Sequence, residues 1–282
     1  MREKYGVSYD APMSLAVHLR DANSLRLRLP LEPWPDGLDG RWHPEDVREF
    51  LEKARQFAKE THFNEFIKTQ QPMYDRAVAN LRSLLDKEAN LEWFDDFFGA
   101  RPGAEFHIAL GMLNGPGNYG PHIKLADREE YYCILGIWKF GALGLGEPRF
   151  DKSMLPTVIH EFCHSYANPI VDAHISQLEK PGKEIYARVA DKMERMAYGN
   201  WQTMMRESLV RACVVRYMAA TEGPEAAKKQ IKNEINRSFL WMQGLSDLLI
   251  QYEKNRDKYK TLDTFFPKIV DFFNNYNMAE SK

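Results

Sequence analysis

Residues Thr157–Tyr166 read TVIHEFCHSY, and His160-Glu161-Phe162-Cys163-His164 within them form the pattern HExxH. In an α-helix residues four apart share a face, so both imidazoles can meet one ion at about 2.0–2.1 Å from each nitrogen. Glu161, turned about 100° further round, falls beside that ion, where a general base for a bound water belongs. With His160 set at zero, Thr157, Glu161 and His164 lie within about 100° of arc, while Leu155, Ile159, Phe162 and Tyr166 occupy the opposite side. The segment is therefore predicted to bury one apolar face and to offer the other, carrying the chemistry, to a cleft. Cys163 lies on the flank of the buried side and is assigned to packing. Asn168-Pro169 is predicted to end the helix.

On the C-terminal side of this helix, nearly everything from Ser153 onward has helical periodicity. Breaks are expected at Asn168-Pro169, Pro181-Gly182, Gly199-Asn200 and Gly223-Pro224. On the N-terminal side, Phe106–Leu113 (FHIALGML) and Tyr131–Phe140 (YYCILGIWKF) are short apolar runs rich in β-branched and aromatic residues, and both read as strands. Asn114–Gly120 (NGPGNYG) is a turn or loop between them, and the glycine-rich Gly141–Gly146 follows. Further upstream, from His43 to about Gly99, the pattern is again helical. Val47, Phe50, Leu51, Ala54 and Phe57 recur at three- and four-residue steps after Pro44, and a second amphipathic run covers Tyr74–Leu85. Between these runs, Thr61–Phe66 (THFNEF) sets two packing aromatics near a cap-like Thr61. The expectation is an α+β chain, mostly helical, with a small, largely antiparallel sheet before the HExxH helix and a helical C-terminal half. It is expected to form a single domain over 1–282, with sublobes 1–168 and 169–282.

A catalytic zinc has three protein ligands and an open position for water, so a third ligand is needed. The metzincin extension would need glycine at 167 and histidine at 170, where the chain has Ala167 and Ile170. The segment instead resembles the gluzincins, such as thermolysin-like peptidases, in which the third ligand is a glutamate on a later helix. Glu184 has the thermolysin-like spacing, yet it shares its face with Arg188, Asp191 and Arg195 and follows the Pro181-Gly182 break. Glu207 lies on a face with Thr203, Met204, Val210, Val214 and Met218, where a lone carboxylate must be paired or metal-bound. Arg211, one turn on, is the alternative partner, or orients Glu207 as a ligand. Glu207 is preferred over Glu184, with His174 and Asp172 as further options. The spacing to Glu207 implies an inserted helical pair over roughly 170–198.

The gluzincin resemblance implies a zinc-dependent peptidase with Glu161 as general base. It also implies Tyr198 as a donor to the developing oxyanion, since thermolysin-like enzymes carry a tyrosine a similar distance before the third ligand. An edge strand, Phe106–Leu113 or Tyr131–Phe140, would then run along the cleft and bind an extended peptide. THFNEF, HEFCHSYANP and WQTMMRESLVRA together resemble a bacterial family of zincin-like proteins of unknown function, over about residues 50–220. Two other outcomes share the same residues. One is an inactive zincin-like binding protein with a structural zinc, and the other is a zinc amidase acting on a non-peptide amide.

Composition removes several other classes. The 282 residues are 44% hydrophobic and 28% charged, an ordinary globular balance that excludes disordered and fibrous chains. A net charge of −2 provides no electrostatic reason for a nucleic-acid partner, and Lys228, Lys229, Lys232 and Arg237 read as a solvated helix face. Cys133, Cys163 and Cys213 make an odd count without a CxxC pair, which suggests neither a disulfide framework nor a cysteine zinc site. No apolar run reaches the roughly 20 residues of a membrane span. The start MREKYGVSYD lacks the apolar core of a signal peptide, so the chain as written reads as soluble and cytoplasmic. An export signal trimmed beforehand would leave the same sequence.

Overall fold

The computed structural model describes residues 2–137, 139–141 and 146–276. Its contacts divide into two units. One takes the chain up to Glu88 and from Pro102 to Met154; the other takes Ala89–Arg101 and the chain from Leu155 onward. The predicted α+β class holds: helices dominate, and there is one small sheet.

The first unit carries α1 (Arg2–Tyr5), α2 (Asp10–Val17), α3 (Pro44–Glu60) and α4 (Phe63–Glu88). Pro44 opens α3 at a position whose N–H would have no helical partner, after an extended His43. Val47 and Leu51, four apart, bury the inner stripe of α3 against Ala11, Leu15, Leu38 and Trp42. Tyr74–Leu85 lies within α4, which buries Ala77 and Leu81. Thr61 does not cap a helix start. It closes α3, its hydroxyl donating to Phe57 O at 2.8 Å, and His62 at φ 52° turns the chain into α4. The THFNEF aromatics meet each other, with Phe63–Phe66 centroids 6.1 Å apart.

The same unit holds β1 (Ala104–Gly111), β2 (His122–Lys124) and β3 (Glu129–Gly136), in the order β1-β3-β2. The sheet is not largely antiparallel. β1 and β3 pair in parallel over their whole length, from Ala104↔Glu129 to Gly111↔Gly136, and only the short β2 runs antiparallel to β3. The chain between β1 and β3 is long enough to return to the same end, as a parallel pair requires, and β2 forms within it. β3 is therefore central and is no candidate edge for a peptide, whereas β1 lies at an edge. Trp138 and residues 142–145, parts of the expected second strand and glycine-rich stretch, lie outside the described residues. The glycines of 114–120 press on the end of β3: a Cβ on Gly136 would lie 2.4 Å from Gly115 O.

Glu130 on β3 is buried in an ionic cluster. Arg28 donates Nη1 and Nη2 to its two oxygens, each at 2.6 Å, and Arg128 and the Tyr132 hydroxyl add bonds at 2.8 and 2.6 Å. The Arg28 bonds hold its carboxyl down at about 2. A carboxyl depressed in the folded state contributes stability above its unfolded pKa, near 4.5, and loses it as pH falls towards 2. Glu130→Gln is expected to cost roughly 2–3 kcal/mol at pH 7, a gap that narrows towards pH 3. Urea unfolding of both chains at the two pH values checks this; a gap independent of pH counts against it.

The second unit carries α5 (Trp93–Phe98), α6 (Leu155–Ala173), α7 (Ile175–Arg195), α8 (Trp201–Glu222), α9 (Pro224–Asn236), α10 (Met242–Lys254) and α11 (Leu262–Asn274). α8 packs against α6, α7, α9 and α10, and Glu207, Ser208 and Arg211 are buried among its apolar side chains. Asn200 starts it, accepting from Thr203 N at 2.8 Å, and Gly223-Pro224 ends it at φ 88°, as expected.

Two expected breaks are absent. α6 runs through Asn168-Pro169, because the carbonyl that Pro169 cannot serve, Ser165 O, accepts from Arg101 Nη1 at 2.7 Å instead. The sublobe boundary proposed after residue 168 thus falls inside a helix. α7 runs through Pro181-Gly182, where a Cβ on Gly182 would come within 2.5 Å of the Trp201 ring; the glycine serves helix packing. A single helix, not an inserted pair, therefore separates α6 from α8. The apolar back of α6 is set by α5, where Phe98 stacks on Tyr166 at 4.6 Å and Phe94 meets Phe162 edge-on at 6.1 Å.

Candidate metal centre

With its back held by α5, α6 turns His160 and His164 towards α8. Their Nε2 atoms face each other at 3.1 Å. Glu207 on α8 brings Oε2 to 3.6 Å from His160 Nε2 and Oε1 to 3.4 Å from His164 Nε2. These three side chains form a group with metal-ligand geometry, all within the second unit. Three ligand atoms of a tetrahedral zinc, each about 2.0–2.1 Å from the ion, lie about 3.3 Å apart, so the three observed separations bracket that value.

The polar atoms agree with this spacing. His164 Nδ1 lies 3.2 Å from Asn168 Oδ1, one turn on; an Nδ1–H donating there leaves the Nε2 lone pair facing the cluster. Glu207 Oε2 is buried and has no aligned hydrogen bond, although Arg211 Nη2 approaches to 3.0 Å. A buried carboxylate oxygen left without a donor is costly, and a cation would satisfy it.

The charges are strongly coupled. Burial disfavours charge on His160 and lowers its pKa to about 3 despite the carboxylate of Glu207. Burial also opposes charge on His164, but its bond to Glu207 and that carboxylate's charge outweigh it and push the pKa up to about 9. Burial would raise Glu207, yet His160, His164 and Arg211 hold it far below the usual range. Glu161, next to His160 on α6, is buried, and burial raises its pKa to about 7.

Behind Glu207 stands Arg211, itself buried. Its Nη1 donates to Glu234 Oε2 on α9 at 2.7 Å and its Nη2 to Tyr198 Oη at 2.7 Å, with Phe239 4.7 Å below the guanidinium. Tyr198 therefore sits beside the cluster, its backbone carbonyl held by the Tyr186 hydroxyl at 2.9 Å. Asn168, Glu234 and Phe239 escaped the sequence reading. Asn168 carried a signal, one helical turn after His164. Glu234 carried none, lying in the lysine-rich stretch of α9.

The other expected candidates lie elsewhere. Glu184, Arg188, Asp191 and Arg195 are all exposed. His174 approaches Asp263 at 3.3 Å, and Asp172 accepts from Arg206 at 2.7 Å. Cys163 and Cys213 are buried thiols, pushed well above their usual range by burial, which suits packing. A second group in the first unit, Glu105, His107 and Glu130, is a poor cation site, because Arg28 and Arg128 already neutralise Glu130. Among the described residues no helix is long and apolar enough to cross a membrane.

No curated protein and no solved structure matches this chain. Its residues 2–272 match a domain of unknown function, DUF4932, and the chain therefore belongs to that family.

Proposed function

We propose that this chain is a zinc-dependent hydrolase that cleaves peptide bonds, a zincin of the gluzincin type. In this proposal His160, His164 and Glu207 hold the metal and Glu161 is the general base. The observation that carries it is the trio of ligand atoms at tetrahedral spacing, two half-buried imidazoles and a buried carboxylate with one oxygen left without a hydrogen bond. The donor set of two imidazoles and one carboxylate suits zinc. A zinc ion bound there supplies a Lewis acid for the attacking water and the scissile carbonyl.

The chain's own residues do the rest. Glu161, fixed on the same helix as both imidazoles, takes the proton of the attacking water and passes it to the leaving amine. Asn168 holds His164 in the tautomer whose Nε2 is free. Arg211 orients the Glu207 carboxylate and, by donating to Tyr198 Oη, holds the tyrosine beside the cluster, where its hydroxyl would donate to a developing oxyanion. A structural zinc site closes with four protein ligands, whereas the group offers three among the described residues, which favours catalysis over a structural role.

The test is Glu161→Gln. Hydrolysis of a broad peptide library by the zinc-loaded chain is expected to fall by about 10²–10⁴ in the variant, with zinc content unchanged. Turnover that survives the substitution removes the mechanism. Turnover of non-peptide amides alone, profiled side by side, would move the substrate assignment to an amidase.

A further inference from the structure

Glu207 and Arg211 lie one turn apart on α8, a spacing from which a guanidinium can grip a carboxylate in two-point contact through Nε and Nη2. The structure shows a looser arrangement. The nearest approach of Arg211 to Glu207 is Nη2 to Oε2 at 3.0 Å, and Oε2 has no aligned hydrogen bond. Arg211 Nε is also buried and, among the described residues, has no acceptor. One buried acceptor and one buried donor of the same pair are thus left unsatisfied, a cost that closer engagement of the two side chains would remove.

The guanidinium is held back from α9. Glu234, only 2% exposed, accepts from Arg211 Nη1 at 2.7 Å, and its other oxygen accepts from Gln230 Nε2, one turn earlier on the same helix. The Glu234 backbone carbonyl accepts from Arg237 N and Phe239 N, each at 3.0 Å, closing α9 in a turn with Ser238 at φ 74°. That turn carries Phe239 inward, to 4.7 Å from the guanidinium. The position and plane of Arg211 are therefore set from α9, with Nη2 directed to Tyr198 Oη at 2.7 Å. Charge points the same way. A guanidinium beside a metal-binding carboxylate repels the ion and draws on the same oxygen, and a second carboxylate on its far side offsets that charge.

We propose that Glu234 is a positioning residue of the metal centre: by tethering Arg211, it keeps Glu207 Oε2 open for the ion. Without the tether, Arg211 closes on Glu207 and competes with the metal for the carboxylate. This rests on the metal-centre reading above and adds the element that keeps its third ligand available.

The test measures the zinc affinity of the full chain by competition with a chromophoric chelator, with circular dichroism as the check on folding. Glu234→Met removes the tether but leaves Arg211 a counter-charge in Glu207. The variant should stay folded and bind zinc about 10–100-fold more weakly than the parent. Glu234→Gln, which retains an acceptor without the charge, should fall between the two. Adding Arg211→Met to Glu234→Met removes the competitor and should restore most of the affinity, as an effect acting through Arg211 requires. If Glu234→Met does not fold, Glu234→Gln with and without Arg211→Met makes the same comparison. Unchanged affinity in the folded Glu234 variant, or a double variant that binds zinc as weakly as the single one, overturns the inference. A parent chain that binds no zinc overturns the metal centre as well, whereas zinc binding that is indifferent to Glu234 overturns this inference alone.

Discussion

Arg211→Met is expected to destabilise the metal-free second unit by roughly 3–5 kcal/mol, because it strips the positive partner from two buried carboxylates at once. Glu207 and Glu234 are both almost wholly enclosed, and Arg211 contacts them at 3.0 and 2.7 Å. Methionine keeps the apolar stem over Phe239 but offers no charge, so the loss reports on the ions and not on a cavity. Zinc should return part of the loss, since an ion on the cluster compensates Glu207 while Glu234 stays unpaired. Urea unfolding followed by tryptophan fluorescence, with chelator and with zinc, separates the two contributions. A variant as stable as the parent in chelator would show that the Glu207–Arg211–Glu234 chain of charges does not hold these helices together.

The second large effect is expected from the metal itself. An ion that binds only the folded chain stabilises it by about 4 kcal/mol at a thousandfold excess over Kd, a rise of roughly 10 °C in Tm for a unit of this size. The shift should vanish in His160→Ala and in His164→Ala. It should persist in Glu161→Gln, whose side chain stands beside the ligands and not among them. A scan with zinc and with chelator shows the difference directly. Equal shifts in the histidine variants would place the bound zinc elsewhere on the chain.

Much of the candidate site was legible because it is local. The segregated arc of α6 follows from residues a few positions apart, and Glu207 stood out as a carboxylate in an apolar helix. The structure brings these side chains within 3.1–3.6 Å of one another. What was not legible depends on partners distant along the chain. Pro169 reads as a helix end unless Arg101 is known to satisfy Ser165 O. Gly182 reads as a break unless Trp201 is known to lie against it. Both expectations followed local propensity, and tertiary contacts overrode it. The parallel pairing of β1 and β3 was hidden for the same reason: two apolar runs do not state their relative direction, and the short β2 between them carries little pattern. Glu234 was the hardest to see. Its surroundings along α9 are those of a solvated stripe, and only the fold places it against Arg211.

On the proposed function, His160, His164 and Glu207 form one metal centre. Its most direct test is the zinc content of the purified chain, measured by mass spectrometry of the metal after loading and desalting. The parent chain is expected to retain one zinc ion per molecule, and His160→Ala, His164→Ala and Glu207→Ala to retain essentially none while remaining folded by circular dichroism. A parent chain that retains no zinc, or folded variants that retain as much as the parent, would contradict it.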